Sequence, residues 1–234
     1  MAKTADGAKM PRKISREHAL ILDLDGTLVT SHFRNRDAKS EALKLLKECL
    51  PSNGLSLDNH IRDYFKIVDT SPIDTVARVS LRKRLSEIIE WYELESVEKS
   101  ELKDGAIYLL EQFKDNFPIA IVSNSGSNAV KRTLEKFNLN NYFDIIIHRD
   151  NAPDLKPSGL GIISALNILG VKSDRSVMIG DTPMDVLAAH DAMVQSLALL
   201  DGVGNPKDLI EAWPDYMMFS LREATSLLKR LWLQ

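Results

Sequence analysis

The sequence predicts an α/β fold in which a parallel sheet is flanked by helices and an all-helical segment follows the first strand. Three observations support this prediction. Short apolar runs alternate with amphipathic stretches along most of the chain. From about residue 31 to residue 101 the alternation stops, and only helical periodicity is found. The chain has 234 residues, of which 44% are hydrophobic, which is enough for one large domain or a domain with an insertion.

The first predicted strand, residues 18–24, runs into the segment Asp23-Leu24-Asp25-Gly26-Thr27. Side chains alternate along a strand, so Asp23 and Asp25 can project to the same side, and Gly26 permits a sharp exit. One carboxylate can attack phosphorus while the other transfers protons. Two aspartates this close repel each other unless a cation lies between them, which indicates Mg²⁺. An Asp-Gly turn is the structural alternative, but aspartates within an apolar run are costly without a partner.

Three amphipathic helices are predicted between residues 31 and 101, separated by turns at residues 51–54 and 70–72. Their apolar faces are formed by Ala42, Leu45, Leu46 and Cys49; by Ile61, Tyr64, Phe65 and Val68; and by Leu85, Ile88, Ile89 and Tyr92. Arg78 and Arg82 are spaced i, i+4 in the third helix. A solvated helix face is the favoured interpretation of this pair. The sharper hypothesis is that both arginines reach an acidic substrate.

Beyond the insertion, strands are predicted at residues 118–123, 143–148, 176–180, 193–200 and 215–219. Apolar residues at helical spacing predict helices around residues 106–113 and 130–137. A further helix is predicted over residues 159–169, with Gly170 as its C-cap. Residues 202–206, which contain two glycines and a proline, are interpreted as a turn.

Polar groups that suit a phosphate follow two of these elements. Ser123-Asn124 ends the second strand before a helix, where a hydroxyl and backbone N–H groups can bind a phosphate oxygen. Helix capping by Ser123, Ser125 or Ser127 is the simpler interpretation of this segment taken alone. Lys156-Pro157 taken alone is an exposed lysine before a helix-starting proline.

The segment Gly180-Asp181-Thr182-Pro183-Met184-Asp185 follows another apolar strand. Thr182 can cap the next helix, Pro183 suits its first position, and Asp185 can complete the cap. Capping leaves Asp181 unexplained. Two acids at this point can complete a metal site, one directly and one through water or a supporting contact.

Composition restricts the functional class. The net charge of −3 and pI of about 6.0 argue against a broadly basic nucleic-acid-binding surface. The single cysteine, Cys49, excludes an intrachain disulfide and a cysteine-rich zinc cluster. No apolar run approaches the ~20 residues that span a bilayer. Residues 1–17 are predicted to form a flexible tail without the apolar core of a signal peptide. These points favour a cytoplasmic location.

Taken together, the motifs resemble those of the haloacid dehalogenase superfamily. Its members share Asp-x-Asp-Gly-Thr, a Ser or Thr after the second strand, Lys-Pro, and Gly-Asp-x-x-x-Asp. The chain is similar to the phosphoglycolate phosphatase and β-phosphoglucomutase branch, which carries a helical cap directly after the first motif. Dehalogenases lack the second aspartate of the first motif, so Asp25 argues for phosphate chemistry.

The resemblance implies a role for each motif residue. Asp23 would be the nucleophile that forms an aspartyl-phosphate, and Asp25 would be the general acid and base. Ser123 and Asn124 would bind phosphoryl oxygens, and Lys156 would offset charge on the phosphate and the nucleophile. Mg²⁺ would be held by Asp23, the backbone carbonyl of Asp25, and Asp181, with Asp185 in support.

The sequence therefore predicts a Rossmann-like three-layer α/β/α core, formed by residues 18–30 and 103–234, with an α-helical cap at residues 31–102. The predicted activity is Mg²⁺-dependent hydrolysis of a small phosphorylated metabolite, with phosphoglycolate as a substrate that the resemblance suggests. A phosphomutase and a non-catalytic binding protein are the alternatives. Neither nucleic acid nor membrane is an expected partner, and a monomer and a dimer are both left open.

Overall fold

A computed structural model describes residues 15, 17–51 and 54–233. The tail predicted at residues 1–17 lies outside this part of the chain, except for residues 15 and 17. No helix in the described residues is both long enough and apolar enough to cross a membrane.

In the part of the chain that the structure describes, six parallel strands form one sheet in the order β3-β2-β1-β4-β5-β6. The strands are β1 (Ala19–Leu22), β2 (Ile119–Val122), β3 (Ile145–Ile147), β4 (Ser176–Gly180), β5 (Gln195–Leu199) and β6 (Tyr216–Met218). The central strand β1 is paired on both sides, and Ile21 lies opposite Ala120 on β2 and Met178 on β4. The order reverses between β1 and β4, and sheets of this kind bind ligands beyond the carboxyl ends of the strands at such a reversal.

Helices in the described residues connect these strands. They are α1 (Asn35–Cys49), α2 (Ile61–Thr70), α3 (Thr75–Lys99), α4 (Ala106–Phe113), α5 (Ser127–Lys136), α6 (Leu160–Leu169), α7 (Pro183–Asp191), α8 (Pro206–Glu211) and α9 (Leu221–Trp232). A short 3-10 helix, Ser173–Arg175, precedes β4. Gly170 ends α6 in the left-handed conformation, with φ of 69°, as its predicted role as a C-cap requires.

The three-layer α/β/α core is confirmed by the packing on the two faces of the sheet. On one face, Leu20 and Leu22 of β1 pack with residues of α4, α5 and α9. On the other face, Ile21 packs with residues of α6 and α7. Because successive strand side chains point to opposite faces, a strand covered on both sides is apolar at every position. Every residue of β1, β2 and β4 is buried.

The three helices predicted in the insertion are α1, α2 and α3, and they have a separate apolar core. We call residues 35–99, which contain these helices, the helical insertion. Its core includes Leu46, Tyr64 and Leu85, all fully buried. One detail of the predicted faces is wrong: Cys49, the last residue of α1, is exposed. Leu155 of the loop after β3 joins this core and so links the helical insertion to the sheet.

Candidate active site

The carboxyl ends of β1, β2 and β4 bring the predicted site residues to one edge of the sheet. Asp23 follows β1, and its N–H donates to the carbonyl of Ile179 at 2.9 Å. Ser123 follows β2, and its N–H donates to the carbonyl of Ile147 at 3.0 Å. Asp181 follows β4 directly. Backbone hydrogen bonds to neighbouring strands therefore hold Asp23 and Ser123, and the side chains of all three residues are buried.

A cluster of three carboxylates forms at this edge. Ligand atoms of Asp23, Asp181 and Asp185 lie within 4.8 Å of one another, and all three residues are buried. Buried carboxylates this close repel each other and favour a cation between them. Oxygen ligands of this kind suit Mg²⁺. The donor set therefore fits the divalent metal ion that the sequence motifs imply.

Asp185 combines a capping role with a position in the acidic cluster. Its Oδ2 accepts hydrogen bonds from Thr182 N–H at 3.0 Å and from the Thr182 hydroxyl at 2.7 Å, which caps the N-terminus of α7. Its Oδ1 accepts from Lys156 Nζ at 2.5 Å. Capping thus uses one oxygen of this carboxylate and leaves the other facing the cluster.

Lys156 places its buried ammonium group between two of the carboxylates. Nζ donates to Asp23 Oδ1 at 2.6 Å and to Asp185 Oδ1 at 2.5 Å. Burial alone would lower the pKa of Lys156, but the negative charges of Asp185 and Asp23 raise it above its ordinary value. Burial raises the pKa of Asp23, and Lys156 partly offsets this effect. The ammonium of Lys156 therefore favours the ionised form of Asp23 against the effect of burial.

Asn124 holds the backbone of Lys156 through its side chain. Asn124 Nδ2 donates to the Lys156 carbonyl at 3.0 Å, and Lys156 N–H donates to Asn124 Oδ1 at 2.9 Å. The sequence suggested a phosphate-binding role for Asn124. Its side-chain amide instead positions Lys156, so its backbone N–H is the group that remains a candidate for phosphate.

Ser125 connects Asp25 and Ser123 by hydrogen bonds. The sequence had suggested for Ser125 only that it could cap a helix. The Ser125 hydroxyl donates to Asp25 Oδ2 at 2.8 Å, and Ser125 N–H donates to the Ser123 hydroxyl oxygen at 3.1 Å. Burial raises the pKa of Asp25, and the Ser125 hydrogen bond lowers it in part. A carboxyl group with a raised pKa is suited to give a proton to a leaving group. The N-cap of α5 is Gly126, so Ser123 is not used as a helix cap.

The loop at residues 201–205 encloses Asp181, whereas the sequence indicated no more than a turn there. Val203 N–H donates to Asp181 Oδ2 at 2.7 Å, and the Thr27 hydroxyl donates to Oδ1 at 2.9 Å. A Cβ atom at Gly202 would lie 2.1 Å from Asp181 Cβ. Burial and the charge of Asp185 raise the pKa of Asp181 to about 6. Glycine is needed at this close approach, which is the signal in the sequence that could have linked the loop to the site.

Replacing Gly202 with alanine is expected to reduce catalytic activity on the order of 10²-fold, because the added methyl group must displace the Asp181 carboxylate. The measurement is kcat/KM together with the metal concentration that gives half-maximal activity, which should rise. Gly54→Ala is the control. Its Cβ would meet nothing within 4 Å, but its φ of 71° gives the substitution a stability cost of about 1 kcal/mol. Equal activity of the two variants would contradict the inference that Gly202 leaves the space in which the Asp181 carboxylate lies.

Glu93 and Arg149 connect the helical insertion to the sheet next to this site. Both side chains are buried and form an ion pair between α3 and the loop after β3. Arg149 Nη2 donates to Glu93 Oε2 at 3.1 Å, and Gly126 N–H donates to the same oxygen at 3.0 Å. Glu93 therefore also satisfies the N-terminus of α5. The sequence did not indicate this pair, since its members are far apart along the chain.

A cavity of about 890 Å³ lies between the carboxyl edge of the sheet and the helical insertion. Its lining includes Asp23, Asp25, Ser123, Asn124, Lys156 and Asp185. From the helical insertion and its flanks, Phe33, Lys39, His60, Arg62 and Glu93 also line it. The predicted motif residues other than Asp181 thus line the same cavity as side chains of the helical insertion.

Arg78 and Arg82, the arginines that the sequence offered for substrate binding, are not among the residues that line this cavity. Arg78 donates to the carbonyls of Ser71 and Ile73, both at 3.0 Å. Arg82 pairs with Asp69, and its guanidinium lies 5.2 Å from the centre of the Phe65 ring. Arg78 therefore holds the turn between α2 and α3, and Arg82 links these two helices. The structure does not bring either arginine to the acidic cluster.

Comparisons with known proteins show which sequences and structures this chain is similar to. The family model described as haloacid dehalogenase-like hydrolase matches residues 20–199. The chain is 27% identical over 228 residues to a phosphoglycolate phosphatase of Colwellia psychrerythraea, covering 93% of this chain and 100% of that one. It is 25% identical over 234 residues to the pyrophosphatase PpaX of Bacillus mycoides, covering 92% and 98%. The crystal structure of a predicted phosphoglycolate phosphatase from Haemophilus somnus has a TM-score of 0.65 and 19% identity, covering 91% and 98%. At that identity the likeness shows the fold.

Proposed function

This chain belongs to the haloacid dehalogenase-like hydrolase family, and from that premise we propose that it hydrolyses a small phosphomonoester with Mg²⁺ through an aspartyl-phosphate intermediate. The observation that carries the proposal is the buried group formed by Asp23, Lys156 and Asp185, in which one ammonium bridges two carboxylates. It lies beside Asp25 in a cavity large enough for a small metabolite.

In the proposed reaction, a carboxylate oxygen of Asp23 attacks phosphorus and forms the new P–O bond as the bond to the leaving oxygen breaks. Asp25 gives its proton to that leaving oxygen. Asp25 then takes a proton from water, whose oxygen attacks phosphorus and releases phosphate and free Asp23. The raised pKa of Asp25 supports its first role, since a protonated carboxyl is needed there.

The surrounding groups bind and stabilise the transferred phosphoryl group. We propose that the Ser123 hydroxyl and the Asn124 backbone N–H bind its oxygens and that Lys156 offsets its charge; the location of Ser123, Asn124 and Lys156 in the cavity lining supports these roles. Asp23, the backbone carbonyl of Asp25, Asp181 and Asp185 would hold the metal ion. When bound, the ion supplies positive charge against the repulsion between the phosphoryl group and the carboxylates. We further propose that residues 31–102 act as a cap that excludes water from this chemistry.

Phosphoglycolate is the first substrate to consider, because relatives that match almost the whole chain carry that name. Pyrophosphate belongs in the same test because other relatives are named pyrophosphatases. The experiment measures phosphate release from these two compounds and from small phosphomonoesters whose leaving group is uncharged, with Mg²⁺ and with a chelator.

We expect release that requires the metal ion. Conversion of a hexose 1-phosphate to the 6-phosphate without net phosphate release would instead identify a mutase. The absence of turnover across the panel by well-folded protein would overturn the proposal in favour of a binding role.

Mg²⁺ is expected to raise the melting temperature at pH 7.5, on the order of 5 °C at saturating concentration. The gain should shrink at pH 5, because protons compete for Asp181, whose pKa is about 6. The sign follows from linkage. A carboxyl whose pKa is raised above its ordinary 3.8 in the folded state stabilises the fold at low pH, and this contribution is lost as pH rises through about 6.

Without metal, the ionised cluster should therefore reduce stability above pH 6, and Mg²⁺ should offset that loss. The measurement is a thermal melt at each pH, with NaCl at matched ionic strength as the control. A gain of equal size at both pH values would contradict binding at these carboxylates.

A further inference from the structure

Three cationic side chains line the cavity in the described part of the chain: Lys39, Arg62 and Lys156. Two of them already have carboxylate partners. Lys156 binds Asp23 and Asp185. Arg62 Nη2 lies 2.6 Å from Asp154 Oδ2, and its Nε donates to Asp154 Oδ1 at 3.3 Å. Lys39 forms no ion pair within 4.0 Å among residues 17–51 and 54–233.

Lys39 extends from α1 to the segment before α2, where its Nζ donates to the carbonyl of Leu57 at 3.1 Å. An ammonium group has three donors, so this contact leaves two of them available. The side chain is half-buried. Burial lowers the pKa of Lys39, and the charges of Asp58 and Asp63 only partly oppose this effect. A partly desolvated cation without a charged partner gains from an anion that approaches through the cavity.

From these contacts we infer that Lys39 determines specificity by binding an anionic group on the leaving part of the substrate. This inference rests on the proposed function, since it places the phosphoryl group at Asp23 and the second anion at Lys39. The substrate class is then a small phosphate compound whose leaving group is itself negatively charged. A carboxylate and a second phosphate share this chemistry. Arg78 and Arg82 of α3 do not line the cavity. Lys39 of α1 therefore replaces them as the cation that binds an acidic substrate.

The test compares Lys39→Met with Lys44→Met. Lys44 lies on the same helix, is exposed and does not line the cavity, so its replacement changes the charge of α1 by the same amount. Three substrates are used: 2-phosphoglycolate, pyrophosphate, and 2-hydroxyethyl phosphate, whose leaving group is neutral. KM and kcat are measured separately for each variant, and Lys39→Arg tests whether another cation restores the function.

For Lys39→Met, KM is expected to rise about 10- to 100-fold for the charged substrate that wild type prefers, the loss typical of one charge-assisted hydrogen bond. The value of kcat for that substrate should stay within about threefold, and the kinetics with 2-hydroxyethyl phosphate should be unchanged. Lys39→Arg should recover most of the loss. The preferred compound, 2-phosphoglycolate or pyrophosphate, identifies the anion as carboxylate or phosphate.

The outcomes separate this inference from the proposed function. If wild type releases phosphate but Lys39→Met and Lys44→Met behave alike, or if Lys39→Met loses activity equally on all three substrates, the inference is overturned and the phosphatase function stands. A wild type that prefers the neutral substrate overturns it in the same way. If wild type hydrolyses none of the three substrates, the inference and the proposed function both fail.

Discussion

Asp23→Asn is expected to lower phosphate release on the order of 10⁴-fold or more, because a neutral amide oxygen does not attack phosphorus as a carboxylate does. The substitution preserves size, and the amide oxygen can still accept the hydrogen bond that Lys156 donates to Asp23 Oδ1 at 2.6 Å. The fold should therefore survive, and the loss should lie in kcat. The measurement is single-turnover and steady-state phosphate release with Mg²⁺.

Asp174→Asn is the matched control for this prediction. Asp174 is exposed and lies in the short 3-10 helix before β4, at the edge of the sheet opposite the site. Its replacement changes the net charge equally and should leave activity unaltered. Residual turnover within tenfold of wild type in Asp23→Asn, after hydrolysis of the new amide has been excluded by mass spectrometry, would show that another group is the nucleophile.

Lys156→Met is expected to reduce both stability and activity, because it removes an ammonium that contacts two buried carboxylates. Removal of one partner from a buried ion pair typically costs about 3–5 kcal/mol of unfolding free energy. Protonation of a carboxylate recovers part of this loss, so the deficit should be greater at pH 8 than at pH 5. Activity should fall on the order of 10²-fold or more, because the proposed offset of negative charge on the phosphoryl group by Lys156 is lost.

Urea unfolding with and without Mg²⁺ distinguishes the two roles of Lys156. The metal ion should stabilise Lys156→Met more than it stabilises wild type, since the variant's cluster lacks another counter-charge, but it should not restore kcat. Lys131→Met is the control. That lysine is exposed, lies 3.9 Å from Glu135, and should contribute less than about 1 kcal/mol. A Lys156→Met protein as stable as the control would exclude the ammonium as the counter-charge of the cluster.

The residues at strand ends could be predicted because their position is encoded locally. An apolar run predicts a buried parallel strand, and the carboxyl ends of parallel strands meet at one edge of the sheet. Asp23, Ser123 and Asp181 each follow such a run, and the structure brings them together as expected. The position of Lys156 required the further knowledge that the loop before α6 returns to the same edge.

Contacts across the cavity could not be predicted in this way. Arg78 and Arg82 formed the most visible basic pair of the insertion, but where α2 packs against α3, Arg78 binds the connecting turn and Arg82 pairs with Asp69 of α2. The less conspicuous Lys39 lines the cavity instead. Helical periodicity predicts which face of a helix is buried. It does not predict which neighbour covers that face, because this depends on how separate helices pack.

The residues alone were enough to predict the fold class, three helices after β1, and which acidic, hydroxyl and lysine side chains lie at the carboxyl edge of the sheet. The physical reason is that strand periodicity and glycine-permitted turns act over a few residues. Three contacts follow only from tertiary packing. The Asn124 side chain binds the backbone of Lys156, the loop at residues 201–205 encloses Asp181, and Glu93 pairs with Arg149. These contacts join residues more than 20 positions apart, so they exist only after separate elements have packed into one core.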